Sequence, residues 1–321
     1  MLNENQIAQI IDLSSASPVV EMGGNSTVKK VLFGNRYYAI KNYSNKSDGL
    51  VRLMKEFKAL KNLHEFLPDV LARPYGFSKS AQIGIYSWLA GHRPILNNNV
   101  LNQMLEILAR LHCQSLSTDR SLFDYATDSI LLENDLFNQI QIRVDKLKKH
   151  LNYHQFRHLC TELEHNLYMY KIDNELFGKP SLTLSFSDFG PHNLLWDKQN
   201  STMHCIDLEF FGWDDAHKLV IDTLSHPQTE WSYDLANKFL SESTEFYNIE
   251  EIRIFQLWPL INLKWASIVL SRIYSNLTIN SSYIPTSELI LFETYIKRSK
   301  IELSSQKQFL FEIANIKKSQ H

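Results

Sequence analysis

Ser185-Phe186-Ser187-Asp188-Phe189-Gly190-Pro191-His192-Asn193-Leu194-Leu195, followed by Cys205-Ile206-Asp207-Leu208-Glu209, decides how the rest of the chain is read. It sets an Asp, an Asn five positions later, and a second Asp at the end of the next apolar run. Phosphoryl transfer from MgATP uses such a set. One carboxylate takes the proton of the attacking hydroxyl, while an amide oxygen and a second carboxylate hold the magnesium that neutralises the phosphates. Leu182, Leu184 and Phe186 alternate with polar residues as a strand does, and Gly190-Pro191 is a turn signal. Leu194-Leu195-Trp196 runs into the polar tip Asp197-Lys198-Gln199-Asn200, and Met203 to Leu208 reads as the returning strand. Such a hairpin is expected to set Asp188, Asn193 and Asp207 around one point.

Asp188-Phe189-Gly190 also spells the metal-binding tripeptide of protein kinases. That reading needs an Asp-plus-Asn catalytic loop shortly upstream, and Phe177 to Ser187 contains no acid. Taken as the catalytic loop itself, Asp188 has its Asn at the right spacing and Asp207 supplies the metal ligand. In this form the stretch resembles the catalytic and metal loops of the aminoglycoside phosphotransferase and choline kinase group, which shares the protein-kinase-like fold. That group usually carries a His two positions before the catalytic Asp, where this chain has Phe186.

The upstream sequence follows the same order. Pro18 to Met22 leads into Gly23-Gly24-Asn25-Ser26-Thr27, then a strand candidate at Val28 to Phe33, a Gly34-Asn35 hairpin turn and a partner strand at Arg36 to Tyr43. The loop Gly23, Gly24, Asn25, Ser26 resembles the short glycine loop of the aminoglycoside kinases, in which small residues let backbone N–H groups approach the ATP phosphates. Ala39 and Lys41 share one face of the partner strand. The resemblance puts Ala39 beside adenine and Lys41 at the phosphates. Leu50, Leu53, Met54, Phe57 and Leu60 form a helical stripe. Glu56 lies at its edge, where a carboxylate would hold Lys41 extended, with Glu65 as the second candidate. Leu67 to Gly91 reads as two further strands and a hinge, with Trp88 and Leu89 as apolar walls for adenine.

Val100 to His112 is predicted to be an amphipathic helix, and residues 130–172 two helices broken near Asn152-Tyr153. In the resemblance a later acid, here Asp222, braces the catalytic loop; Glu209 is a further candidate to assist the metal or a substrate hydroxyl. A metal-hydrolase set of Asp188, His192 and Asp207 lacks a His-x-x-x-His or Cys pairing, and no Gly-x-Ser-x-Gly elbow supports a serine hydrolase.

The 33 basic and 35 acidic side chains leave a net charge of -2, which points to neither nucleic acid nor an anionic membrane. Cys113, Cys160 and Cys205 are scattered, as in a reducing compartment. Met1 to Gln6 has no signal-peptide core. Leu257 to Leu270, interrupted by Asn262 and Lys264, is expected to be too short and too polar to cross a bilayer. The expectation is a cytoplasmic protein of α+β class and two-lobed, protein-kinase-like fold. Residues 1–92 would form a small β-rich N-lobe and 93–321 a larger helical C-lobe. The resemblance implies ATP and Mg2+ as cofactors and phosphorylation of a hydroxyl on a small molecule such as a sugar, an amino alcohol or an aminoglycoside-like acceptor, with no nucleic acid, membrane or obligate protein partner. Lys297, Arg298, Lys300, Lys307, Lys317 and Lys318 lean against a polycationic acceptor. The alternative is a nucleotide-binding pseudokinase or regulatory module without turnover, which Phe186 in place of His keeps open.

Overall fold

The computed structural model describes residues 1–22, 26–44, 47–132, 134–149, 153–170, 179–280 and 285–315. The predicted glycine-loop residues Gly23, Gly24 and Asn25, and the predicted helix break at Asn152, lie outside them. Two compact units form: residues 1–95, 106–127 and 190–212 in the first, 96–105, 128–189 and 213–321 in the second.

The first unit opens with helix α1 (Glu4–Ala16), started by Asn3, whose side chain accepts the Gln6 N–H while Gln6 reaches back in a capping box. Strands β1 (Val19–Met22), β2 (Thr27–Phe33) and β3 (Arg36–Asn42) follow, then helix α2 (Gly49–Leu63), β4 (Pro74–Ser78) and β5 (Ile83–Ser87). The sheet is antiparallel in the order β1-β2-β3-β5-β4. Phe33 pairs with Arg36 across a two-residue turn, with Gly34 at φ 59°, the backbone sign such a turn demands. Alternate residues Val31, Tyr38, Ile40, Ile83 and Ile85 bury one face of the sheet with Ile10 of α1. Leu67 to Val70, read from the sequence as strand, is turn; Pro68 removes a ladder donor.

Helix α3 (Asn98–Ser117) is longer than predicted at both ends. Helices α4 (Asp135–Lys148) and α5 (Arg157–Met169) lead to β6 (Leu182–Ser185). The hairpin predicted after Gly190-Pro191 is present in the first unit as β7 (Leu194–Asp197) against β8 (Thr202–Cys205). Strand β6 pairs with β9 (Gly212–Asp215), a strand the sequence reading did not foresee.

In the second unit β9 runs directly into α6 (Ala216–Ser225), capped by Asp215, whose side chain accepts the His217 N–H. Helices α7 (Tyr233–Tyr247), α8 (Glu251–Asn280), α9 (Thr286–Ser299) and α10 (Gln306–Ala314) complete it, with α8 packed on α4, α5, α6 and α9. Leu257–Leu270, expected to be too short and too polar to cross a bilayer, is part of a longer apolar helix. The helix continues through Pro259, and Glu251–Ser275 is long and apolar enough to cross a membrane by length and composition, alone among the described residues. Yet 72% of its apolar window is buried, as in the core helix of a folded domain. Two of its polar side chains find partners inside: the Asn262 amide donates to the Trp258 carbonyl at 2.7 Å, and Lys264 donates to Asp222.

Candidate active site

The most concentrated buried charge in the first unit lies around Lys41. Strand β3 carries it into the interior, opposite Gly84 of β5. Its ammonium donates to Glu56 Oε2 at 2.7 Å and to Asp207 Oδ1, with Glu209 Oε2 3.6 Å away. Glu56 projects from α2 and has both oxygens engaged. Oε2 also accepts the Tyr43 hydroxyl at 2.6 Å, and Oε1 accepts the Leu208 backbone N–H at 3.3 Å. Tyr43 in turn lies 2.9 Å from the Tyr86 hydroxyl. Glu209, fully buried, takes Arg52 Nη1 at 3.1 Å, and Arg52 reaches back one helical turn to Asp48.

Burial alone would lower the Lys41 pKa, but Asp207, Glu56 and Glu209 outweigh it and hold the amine well above its ordinary value. Burial, then the Asp207 charge, pushes the Glu209 carboxyl up. Burial, reinforced by Glu56, keeps the Tyr43 phenol protonated well past its usual range.

Asp207 follows β8 at φ 66°, a left-handed conformation that Asp tolerates better than most residues. The Ile206 N–H donates to the Asn193 carbonyl at 3.0 Å, which seats Asn193 beside the residue before Asp207. Asn193 is buried, and the Asp207 side chain is 35% exposed. The structure therefore brings Lys41, Glu56 and Asp207 into direct contact, with Asn193 on the adjoining backbone. Glu65, the second candidate for the Lys41 partner, is solvent-exposed. Ser26 is buried at the start of β2. Ala39 is half-buried on β3, and Leu89 half-buried beyond β5. Trp88 is half-buried too, with the Lys30 ammonium 4.8 Å from its ring centroid.

In the second unit Asp188 follows β6 through a sharp turn. Ser187 has φ 66°, and the Asp188 N–H donates to the Phe186 carbonyl at 2.8 Å. Phe186 is buried and stacked on Phe189, ring centroids 5.4 Å apart. His226 Nε2 lies 3.4 Å from Asp188 Oδ1. Asp222 does not brace this loop among the described residues. Its carboxylate accepts two bonds of 2.6 Å from Lys264 and lies 3.1 Å from Lys218. Burial alone would raise the Asp222 pKa, but the two lysines overcome it and hold the group below the usual carboxylate range. Arg298, counted from the sequence among the charges facing an acceptor, is buried over the Trp258 ring at 4.4 Å, and Lys317 and Lys318 lie outside the described residues.

Sequence reasoning missed Tyr43, Arg52 and His226. Tyr43 shares the alternation of Lys41, and Arg52 sits four residues before Glu56 on one helix face, so both had a signal. His226 had only its place before Pro227, where a helix ends.

The sequence profile described as the phosphotransferase enzyme family matches residues 21–243. The gentamicin–APH(2'')-IIa complex is a similar solved structure: 16% identical, TM-score 0.61, covering 98% of this chain and 99% of that one. The choline kinase from Cryptosporidium parvum Iowa II is 14% identical at TM-score 0.61, covering 93% of this chain and 92% of its own. The choline kinase LicA from Streptococcus pneumoniae is 15% identical at TM-score 0.56, covering 92% and 99%. At these identities the likeness speaks to the fold: a kinase-like α+β architecture with a β-sheet N-terminal region and a helical C-terminal part. No curated protein matches the chain.

Proposed function

This chain belongs to the phosphotransferase enzyme family, and we propose from that premise that it transfers the terminal phosphoryl group of ATP to a hydroxyl of a small molecule. The observation that carries the proposal is the buried Lys41 ammonium held by Glu56 and Asp207. Glu56 keeps the amine extended, where it can meet phosphate oxygens once Asp207 turns to the metal. Residues 1–92 serve the nucleotide and 93–321 the acceptor. The loop Gly23, Gly24, Asn25 and Ser26 covers the phosphates, and Ala39, Trp88 and Leu89 line the adenine. Asp188 orients the acceptor hydroxyl and takes its proton.

The donor chemistry fits magnesium. Asp207, 35% exposed, and Asn193 on the adjoining backbone offer a carboxylate and an amide oxygen, the hard oxygen ligands that Mg2+ prefers. Asp207 and Asn193 would hold the ion, which when bound neutralises charge on the phosphates. Lys41 is then left to the nucleotide, and Glu56 keeps it extended. The near-neutral charge supports an enzyme that meets neither nucleic acid nor an anionic membrane, and the three free cysteines support a reducing, cytoplasmic compartment.

The test is ADP production by the wild-type protein with ATP, Mg2+ and a panel of sugars, amino alcohols and aminoglycosides. Turnover with a member of the panel supports the proposal. Phe186 motivates a second reading, a nucleotide-binding module without turnover. It predicts ATP binding, no ADP with any acceptor, and no difference from Asp188→Asn.

A further inference from the structure

We infer that His226 is the positioning residue for the Asp188 carboxylate, supplying from the end of α6 the imidazole that position 186 lacks. The inference rests on the kinase reading above. Four observations within the second unit carry it.

The first is the contact itself, His226 Nε2 to Asp188 Oδ1 at 3.4 Å. The second is the ring's other nitrogen. The Gln228 backbone N–H donates to His226 Nδ1 at 3.2 Å. A backbone amide is only a donor there, so Nδ1 must be the acceptor, and the neutral ring carries its proton on Nε2, the nitrogen that faces Asp188. The third is rigidity. His226 is buried, edge-on to Trp265 with centroids 5.0 Å apart and an interplanar angle of 87°. Trp265 stacks on Tyr295, and the Tyr295 hydroxyl donates to the Ser225 carbonyl at 2.7 Å. The Thr229 N–H closes a turn on the His226 carbonyl at 3.1 Å. Ring and backbone are thus both fixed by α8, α9 and the turn. The fourth is Phe186, whose stacked, buried ring has no donor to offer.

An N···O contact of this length is expected to shorten into a hydrogen bond when substrate binds. With Oδ1 held by His226, the carboxylate presents a fixed orientation to the acceptor hydroxyl instead of sampling rotamers. Asp188 remains the group that takes the proton; His226 acts through it.

The experiment compares wild type, His226→Phe and His226→Gln in steady-state turnover with the best acceptor of the panel, and reads the His226 tautomer by 15N chemical shifts in the wild type. Phe keeps an aromatic ring against Trp265 but removes the donor; Gln restores an N–H at similar reach. The expected result is a kcat about tenfold to a hundredfold lower for His226→Phe, with nucleotide KM within about twofold of wild type. His226→Gln should recover most of kcat, and the ring should be in the Nε2–H form. Wild-type kcat in His226→Phe overturns the inference. So does a protonated Nδ1 at neutral pH. If His226→Phe fails to fold, His226→Gln alone decides: kcat as low as that of Asp188→Asn, in a protein with wild-type melting behaviour, overturns it. Absence of turnover in the wild type overturns the kinase reading and this inference together, whereas turnover indifferent to His226 overturns this inference alone.

Discussion

Glu56→Gln is the sharpest perturbation of the Lys41 cluster, because the native carboxylate uses both oxygens as acceptors. Oε2 takes Lys41 at 2.7 Å and Tyr43 at 2.6 Å; Oε1 takes the Leu208 N–H at 3.3 Å. Glutamine has one acceptor and an NH2 group. Whichever way it turns, two hydrogens face either an ammonium and a hydroxyl or a backbone N–H, all buried. Breaking a buried ion pair from one side costs about 3–5 kcal/mol. The lower end applies here. Lys41 keeps Asp207, and Lys41 with Arg52 then faces two carboxylates where three crowded them. A loss of about 3 kcal/mol corresponds to roughly 6–12 °C in melting temperature at the sensitivity of the larger single domains. The same substitution frees Lys41 from its fixed extension, so nucleotide KM should rise about tenfold, the equivalent of ~1.4 kcal/mol. Differential scanning fluorimetry and an ATP saturation curve read both effects. A Glu56→Gln protein with wild-type melting temperature and wild-type nucleotide KM would refute the argument that this pair organises the site.

Gly91 sits at φ 133°, and a Cβ there would lie 2.8 Å from the Trp196 carbonyl oxygen, so Gly91→Ala should cost about 1–3 kcal/mol in denaturant unfolding. At alkaline pH the unfolded chain releases the Lys41 and Tyr43 protons near their ordinary values, whereas the folded protein retains them. Stability from both groups is therefore complete below about pH 10 and falls as pH rises above it; melting temperatures over that range should drop less steeply for Lys41→Met than for wild type. Cys113 is exposed, Cys160 and Cys205 are buried, and burial together with Glu164 pushes the Cys160 thiol up to about 11. An aromatic disulfide reagent should accordingly titrate one thiol quickly in the native protein and all three only after denaturation.

What the sequence disclosed, and what it withheld, follows from the reach of periodicity. Lys41 and Glu56 were readable because strand alternation and a helical stripe point both inward, and the β7–β8 hairpin because a polar tip separates two apolar runs. Periodicity does not reveal which buried charges meet. Lys264 looked like an interruption in an apolar helix, yet it is the partner of Asp222, and that pairing takes Asp222 out of the bracing role expected of it. Arg298 resembled one more surface cation in a basic segment but packs over Trp258 inside the second unit. Strand β9 went unseen because Gly212-Trp213-Asp214-Asp215 shows no alternation; all four residues are buried. His226 depends on a contact across 38 residues, beyond any local pattern.

The most direct test of the central claim is transfer of the labelled terminal phosphate of ATP to an acceptor by wild-type protein and by Asp188→Asn. Labelled product is expected from the wild type and a loss of about 10²–10⁴-fold in Asp188→Asn, with nucleotide affinity retained. Equal labelling by the two proteins, or none by a wild type that binds ATP, would contradict it.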